Sequence, residues 1–391
     1  MRTIAVVTST RAEYGILYPL IRRILSDPDL SLQLYVTGTH LSEKHGYTIK
    51  EIEKDNVPIY KKIPILEEGN SSVDITRTMA NAMTGFSKYF HESRSDMLVL
   101  LGDRTEILAV ALAAMNENIP IAHIHGGEVT EGAVDDAVRH CLSKLSYLHF
   151  TSTEVYRHRV IQLGETPDRV FNVGALSTEN ILNVPLISRE KLFYEIGIKT
   201  ELPLVTVTFH PVTKEQGEEI VQTQSLIEAM KVHPEYFYLI TMANADAGGD
   251  MVNMLMKQFE EDAPDGNVKV VASLGMRRYL SAVRESGFVL GNSSSGIIEA
   301  PVMGTPTVNV GDRQKGRLQA GSIINCDADT SDIADAMEKA GKAEHRRTLM
   351  YGDGHTSEKI VYHIKRALAD GIDLKKTFYN VSFSEDEGTT R

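Results

Sequence analysis

The sequence predicts an α/β protein built from two doubly wound domains. Three observations carry this. Short β-rich runs alternate with longer helical patterns, the rhythm of parallel strands joined by crossover helices. The rhythm stops between about Val184 and Pro203 and then restarts. Of the 391 residues, 42% are hydrophobic and 24% charged, enough to bury a core in each half.

In the first half, Thr3–Thr8, Leu32–Thr37, Met97–Leu101, Pro120–Ile124, Tyr147–Thr151 and Val170–Val173 read as strands, bounded by Gly, Asp, Asn or Ser. Helical patterns fill 14–26, 74–93, 104–118, 135–146 and 153–163 between them. The segment Ile107–Met115 is apolar all round, which predicts a helix packed on both sides. In the second half, the strands are Leu204–Phe209, Tyr236–Thr241, Val268–Ala272, Phe288–Leu290, Thr307–Val310 and Ser322–Asn325. Helices fit at 215–232, 250–262, 276–286, 296–303, 331–342 and 356–369. The expected domains are 1–183 and 184–354, followed by a polar tail after Asp373 that is expected to be loosely held.

The charge balance is 41 Lys plus Arg against 53 Asp plus Glu, a formal charge of −12. That argues against a nucleic-acid or anionic-lipid partner. Cys141 and Cys326 are the only cysteines, too few for a four-cysteine zinc site and not spaced as a metal pair. The apolar start Ile4–Val7 is too short for a signal peptide, and no apolar run approaches the ~20 residues of a membrane helix. A soluble, reduced, cytoplasmic protein with no membrane partner is expected.

In open α/β sheets, ligands bind beyond the carboxyl ends of the strands. No strand is followed by G-x-G-x-x-G, and G-x-x-x-x-G-K-[ST] is absent, which argues against a dinucleotide cofactor or a P-loop. The strand ending at Leu290 runs into Gly291-Asn292-Ser293-Ser294-Ser295-Gly296 and a helix carrying Glu299. Small residues allow close backbone approach, and a helix start favours an anion, so this suits a diphosphate with Glu299 on ribose hydroxyls. An ordinary Ser cap is the plainer reading. Arg11, in Thr8-Ser9-Thr10-Arg11-Ala12-Glu13-Tyr14-Gly15, can face a phosphate. Gly102-Asp103-Arg104 places an acid and a base at a strand end. The densest chemistry is His123-Ile124-His125-Gly126-Gly127-Glu128, followed by Asp135-Asp136 and Arg139-His140. Two residues apart on a strand, His123 and His125 share a face. Such a set suits a metal site, metal-free acid–base catalysis, or satisfied structural histidines. Phe209-His210-Pro211, Asn244-Ala245-Asp246-Ala247-Gly248 and Gly311-Asp312-Arg313-Gln314 are further polar strand-end loops.

Taken in this order, these motifs resemble the hydrolysing UDP-N-acetylglucosamine 2-epimerases, especially those of bacterial sialic acid synthesis. The resemblance runs from Arg11-Ala12-Glu13-Tyr14 to Gly311-Asp312-Arg313-Gln314-Lys315-Gly316-Arg317. It implies the GT-B architecture: two Rossmann-like domains with the active site in the cleft between them, and a last helix, with the tail from about 355, returning to the first domain. It implies UDP-N-acetylglucosamine plus water giving N-acetylmannosamine and UDP, by elimination to a glycal and then hydration, with no cofactor and no metal. Carried over by position, Asp103, Glu128 and Asp135 are the catalytic carboxylates, His210 supports the leaving diphosphate, and His40 lies near the sugar. Arg11, Ser293 and Ser294 hold phosphates, Glu299 the ribose, and Asn244, Asp246 and Arg313 the nucleotide. Arg104, His123 and Arg139 join the substrate-binding set. The chain departs from many relatives at His125, where they carry a carboxylate, and at Glu179, where they often carry Asp. His125 remains an acid–base candidate, and Glu179 is kept as a site candidate. The resemblance also implies a homodimer or homotetramer.

Four alternatives compete. The first is the same chemistry on UDP-N,N′-diacetylbacillosamine, in legionaminic acid synthesis. The others are a non-hydrolysing epimerase, a GT-B glycosyltransferase, and a metal-dependent hydrolase built on His123, His125 and Asp103. The carboxylates at 103, 128 and 135 favour the epimerase, because a glycosyltransferase needs no set of acids around C2.

Overall fold

The computed structural model describes residues 1–69, 71–129, 134–211, 219–243, 249–263 and 266–382. In chain order the first half contains β1 (Arg2–Thr8), α1 (Arg11–Ser26), β2 (Leu30–Thr37), α2 (Ile49–Lys54), β3 (Ile59–Ile63) and α3 (Ser72–Glu92). It continues with β4 (Met97–Leu101), α4 (Thr105–Asn116), β5 (Ile121–Ile124), α5 (Val134–Leu145), β6 (Leu148–Thr151), α6 (Glu154–Gln162), β7 (Val170–Asn172) and α7 (Leu176–Asn183). The second half contains α8 (Arg189–Ile196), β8 (Leu204–Thr208), α9 (Glu219–Val232), β9 (Phe237–Thr241), α10 (Gly249–Asp262), β10 (Val268–Val271) and α11 (Gly275–Glu285). It ends with β11 (Ser286–Gly291), α12 (Ser294–Met303), β12 (Thr307–Val310), β13 (Ile323–Cys326), α13 (Thr330–Gly341) and α14 (Thr356–Asp370).

The chain divides into two compact units: Met1–Asn180 with Tyr351–Arg391, and Ile181–Met350. The first holds a seven-stranded sheet in the order β3-β2-β1-β4-β5-β6-β7, and the second a six-stranded sheet in the order β10-β9-β8-β11-β12-β13. Every pairing is parallel, with Val6 of β1 opposite both Leu34 and Val99. Strand order reverses at β1/β4 in one sheet and at β8/β11 in the other. Those are the points where helices leave on opposite faces and a crevice opens at the carboxyl ends.

The uninterrupted apolar run of β1 follows from burial on both faces. Ile4 and Val6 pack into a core that includes Leu17, Ile21 and, from the returning α14, Ile360 and Ile364. Ala5 and Val7 face a second core with Phe86 and Phe90 of α3 and Ile107 and Val110 of α4. The all-round apolar character of α4 has the same cause. In the second unit, Val205, Val207, Leu290 and Val308 of the central strands pack with Leu226, Met230 and Met337.

Four elements escaped the sequence reading. β3 is an edge strand whose Lys61 and Lys62 break the apolar pattern, as charged edges do. The one-and-a-half-turn α2 buries only Ile49 and Ile52. α7 and α8 fall where the rhythm lapses, although α8 carries a Ser188 cap and a left-handed Gly197 at its end. The return to the first unit begins at Tyr351, earlier than the expected 355. Ala175 N donates to Tyr351 O at 2.6 Å, and Gly352 packs on Gly174 so closely that a Cβ on either would come within 2.8 Å of the other's Cα.

The tail corrects a further expectation. Lys376 Nζ lies 2.6 Å from Glu165 Oε2 and donates to the carbonyls of Lys144 and Ser146, while Tyr379 N donates to Gly164 O at 2.9 Å. Glu165 is the reason. Burial alone would push its carboxyl up, but hydrogen bonds from His149, Lys144 and Lys376 outweigh that and hold it at about 2. A polar tail residue is thus the counter-charge of a buried acid. Among the described residues, no helix is long and apolar enough to cross a membrane.

Candidate active site

In the first unit the site residues gather where β4 and β5 end and α5 begins. Gly102 turns the chain at φ +77°, in the left-handed region, so that Asp103 and Arg104 leave the sheet before α4 starts. Arg139, buried on α5, reaches back to this corner. One guanidinium nitrogen donates to Asp103 Oδ2, the other to Glu128 O at 2.9 Å, and Asp136 lies 3.7 Å away. One arginine thus binds the ends of both strands and keeps a cation beside Asp103.

His125 has φ +66°, a strained conformation for a non-glycine residue, which persists only where its surroundings impose it. Its backbone N–H donates to Phe150 O at 2.9 Å, and its Nδ1 lies 3.7 Å from Glu128 Oε1, which accepts from Ser152 Oγ at 2.9 Å. His125 Nε2 is buried without a hydrogen-bond partner. An imidazole held open on one nitrogen and faced by a carboxylate on the other can move a proton. Asp135 is exposed on the first turn of α5; burial pulls the Arg104 pKa down, and the charge and hydrogen bond of Glu106, with smaller help from Glu13 and least from Asp135, raise it.

Three predicted site residues are placed elsewhere. His123 is fully buried. Its Nε2 lies 2.7 Å from Gly102 O and its Nδ1 3.4 Å from Ser143 Oγ, and burial pulls its pKa down to about 3. It is therefore a neutral brace under the Asp103 corner, with Nε2 donating to the carbonyl. His40 is also fully buried, between Thr8 Oγ1 at 3.1 Å and Thr48 Oγ1 at 2.9 Å, and burial lowers it to about 4. Glu179 accepts from Ser357 N and Ser357 Oγ, both at 2.6 Å, and so caps the start of α14. Both of its oxygens are engaged there. Arg11 stands exposed at the start of α1, paired with Glu51 at 3.0 Å.

The second unit builds a different kind of site. Gly291 ends β11 at φ +131°, where a Cβ would come within 2.1 Å of Thr208 O; only glycine lets the ends of β8 and β11 close together. Asn292 follows. Its Oδ1 accepts from His210 N at 2.7 Å, and its Nδ2 donates to His210 O at 2.8 Å. Its own carbonyl accepts from Arg313 Nη1 at 3.1 Å and Gln314 Nε2 at 2.9 Å. One asparagine therefore ties together the loops after β8, β11 and β12. Ser293 caps α12, accepting from Ser295 N at 3.3 Å, and Ser294 is the first helical residue. Glu299 Oε2, one turn into α12, Ser295 Oγ near its start and Tyr279 OH of α11 are buried and make no hydrogen bond of good geometry, although the Ser295 hydroxyl lies near enough to favour the ionised forms of both Glu299 and Tyr279. Burial raises the Glu299 carboxyl and pushes the Tyr279 phenol up to about 12. Orphaned polar atoms beside a helix start are what a hydroxyl-rich anionic ligand would satisfy. Asn244 and Asp246 lie outside the described residues. Among the described residues, no three His, Cys, Asp or Glu side chains are gathered as a metal site requires.

The model of the family described as UDP-N-acetylglucosamine 2-epimerase matches residues 22–365. The chain belongs to this family. It is 39% identical over 346 residues to the GDP/UDP-N,N′-diacetylbacillosamine 2-epimerase (hydrolyzing) of Campylobacter jejuni, covering 88% of this chain and 89% of that one. It is 34% identical over 392 residues to a polysialic acid biosynthesis protein of Escherichia coli, covering 100% and 99%. The crystal structure of UDP-GlcNAc 2-epimerase from Neisseria meningitidis bound to UDP-GlcNAc matches with a TM-score of 0.77 at 18% identity, over 93% of this chain and all of that one. The epimerase family and the GT-B fold of two Rossmann-like domains follow from these matches.

Sequence reasoning passed over Glu106 and took Ser9 and Glu13 only as parts of a motif, yet all three are buried beside the Asp103 corner. A signal was present: Glu106 immediately precedes the all-round apolar run of α4, where a charge has to be buried.

Proposed function

We propose that the chain hydrolyses UDP-N-acetylglucosamine to UDP and N-acetylmannosamine with inversion at C2. The convergence of Asp103, His125, Glu128 and Arg139 at the ends of β4 and β5 carries the reading. The C2 hydrogen has no neighbouring ketone to acidify it, so removing it requires loss of a leaving group at the same time. In the first step a base takes the C2 proton, the C–H electrons form the C1=C2 bond, and the C1–O bond breaks to release UDP. In the second, water oxygen adds to C1 and gives up a proton to a base, while an acid delivers a proton to C2 on the inverting face.

Of the acid–base candidates, the His125–Glu128 pair is best arranged to pass protons, because Nε2 is buried without a partner and Glu128 faces the other nitrogen. Asp103, fixed beside the Arg139 cation, suits the charge that develops at the ring. Asp135 would serve the water. His210, Arg313, Ser293 and Ser294 would take the diphosphate, and Glu299 the ribose. The reading includes cytoplasmic action in a homodimer or homotetramer, which light scattering on the purified chain reads directly.

The test is isotopic. In heavy water, released N-acetylmannosamine should carry deuterium at C2, and in oxygen-18 water early samples should carry the label on the sugar and none on UDP. An inverted product that keeps its original C2 hydrogen would overturn the mechanism. A second reading, UDP-N,N′-diacetylbacillosamine as substrate, is supported by the name of the 39% identical relative. Parallel incubations with the two UDP-sugars, followed by NMR, decide between them.

A further inference from the structure

Behind the Asp103 corner, Ser9 stands between two buried carboxyl groups. Ser9 is fully buried, and Glu13 and Glu106 are 6% and 5% exposed. Ser9 Oγ lies 3.0 Å from Glu13 Oε2 on α1 and 2.9 Å from Glu106 Oε1 on α4. Ser9 N donates to Glu13 Oε2 at 2.6 Å, and Arg104 Nε donates to Glu106 Oε1 at 2.5 Å. A hydroxyl has a single hydrogen. It can satisfy one of the two carboxyls, and the other contact holds only if that carboxyl brings a hydrogen of its own. Otherwise two oxygen lone pairs would be pressed together in an interior that already holds two negative charges.

The surroundings say which group carries the hydrogen. Glu106 has the Arg104 guanidinium against it and is the natural anion. Glu13 has no cation of its own, and its Oε1 is buried without a partner. Among the described residues, the charged groups that act on Glu13 are Glu106, which opposes its ionisation, and Arg104, the weakest of its influences. From the loop after β2, Thr39 Oγ1 and His40 N reach the Ser9 carbonyl and leave its hydroxyl free for the carboxyls.

We propose that Glu13 is held as a neutral acid and acts as a positioning residue. Its hydrogen goes to Ser9, the Ser9 hydrogen goes to Glu106, and Glu106 orients Arg104 and the corner that presents Asp103. The inference rests on the epimerase reading for what that corner does, but its proton arrangement stands apart from it. Burial raises the Glu13 carboxyl to about 7, which leaves it protonated in mildly acidic solution and ionised in mildly alkaline solution. Ionisation would place two anions across one hydroxyl and release Glu106 from its alignment with Arg104.

Two variants and one spectrum test this. Glu13→Gln cannot ionise and can still donate to Ser9 Oγ, although it then loses the bond that Glu13 Oε2 accepts from Ser9 N. Its kcat in mildly acidic buffer should lie below wild type but well above Glu13→Ala, and it should lack the fall in kcat that wild type is expected to show as pH rises through about 7. Glu13→Ala should lower kcat by about 10–100-fold at every pH, as misplacement of a catalytic group does, with unchanged affinity for UDP as the control for folding. Carbon-13 NMR of glutamate-labelled protein, with the Glu13 signal assigned by its absence in Glu13→Gln, should show a midpoint near 7 instead of the ordinary carboxylate value. A midpoint at the ordinary value, or a Glu13→Gln enzyme as slow as Glu13→Ala, would overturn the proposal. If wild type released UDP from no UDP-sugar, the proposed function would fail, and the carboxyl titration would still decide whether Glu13 holds the proton.

Discussion

The two units use the same sheet topology at their strand ends to opposite chemical effect. In the first, the loops after β1, β4 and β5 are held by charged or titratable groups: Arg139 on Asp103, His123 on Gly102, and Glu13 and Glu106 on Ser9. In the second, the loops after β8, β11 and β12 meet at one neutral amide residue, Asn292, which pairs with the His210 backbone and accepts from Gln314 and from a single charged side chain, Arg313. The difference follows from what each half is proposed to do. Proton transfer needs groups whose protonation is set by burial and neighbouring charge. Anion binding needs donors fixed in advance at the helix start, and the buried acid of this unit, Glu299, is assigned to ribose hydroxyls and not to the diphosphate.

If that contrast is right, the largest effect lies in the first unit. Asp103→Asn keeps the shape but removes the partner charge of Arg139. It should lower kcat by about 10²–10⁴-fold while leaving UDP affinity intact. Measuring UDP release alongside calorimetry with UDP separates the two, and near wild-type turnover would take Asp103 out of the mechanism.

Glu299→Ala should behave in the reverse sense. A charge-assisted bond to a ribose hydroxyl contributes about 1.5–3 kcal/mol, so UDP should bind roughly 10–100-fold more weakly. Because Glu299 Oε2 is buried and unpartnered in the unliganded fold, the same variant should melt at a higher temperature than wild type. Ser293→Ala removes a neutral cap and should cost only about 0.5–2 kcal/mol of stability, with a smaller loss of UDP affinity. Unchanged UDP affinity in Glu299→Ala would remove the ribose assignment.

Asn292→Ala should affect turnover least and tests the wiring of the second unit itself. It removes both side-chain bonds to the His210 backbone and should cost about 1–3 kcal/mol of stability, read by thermal melting. It should weaken UDP binding and leave the protonation of the first unit untouched. A change in the pH dependence of turnover in Asn292→Ala would show that the two halves do not divide the work as proposed.

The strand–helix alternation, the uninterrupted apolar strands and the small-residue run after β11 were all legible in the chain, because burial on two faces and close backbone approach leave direct marks on composition. Asp103, Glu128 and Arg139 were singled out from motifs that follow strands, and in the first unit Arg139 reaches from α5 to Asp103 and the Glu128 carbonyl; Glu299 lies on α12 of the second unit. Less was legible for the groups that hold them. His40, His123 and Glu179 have the residue types of ligands, and only their partners reveal a brace or a cap. β3 was hidden by its lysines, and the tail by its polarity. Periodicity records which residues are buried, because burial repeats along an element. It does not record what a buried polar atom pairs with, because that partner comes from elsewhere in the chain: Lys376 for Glu165, Ser357 for Glu179, and Ser9 for both Glu13 and Glu106. The sequence by itself determined the architecture and the chemistry on offer, and the tertiary structure decided which of the titratable groups are left open to do it.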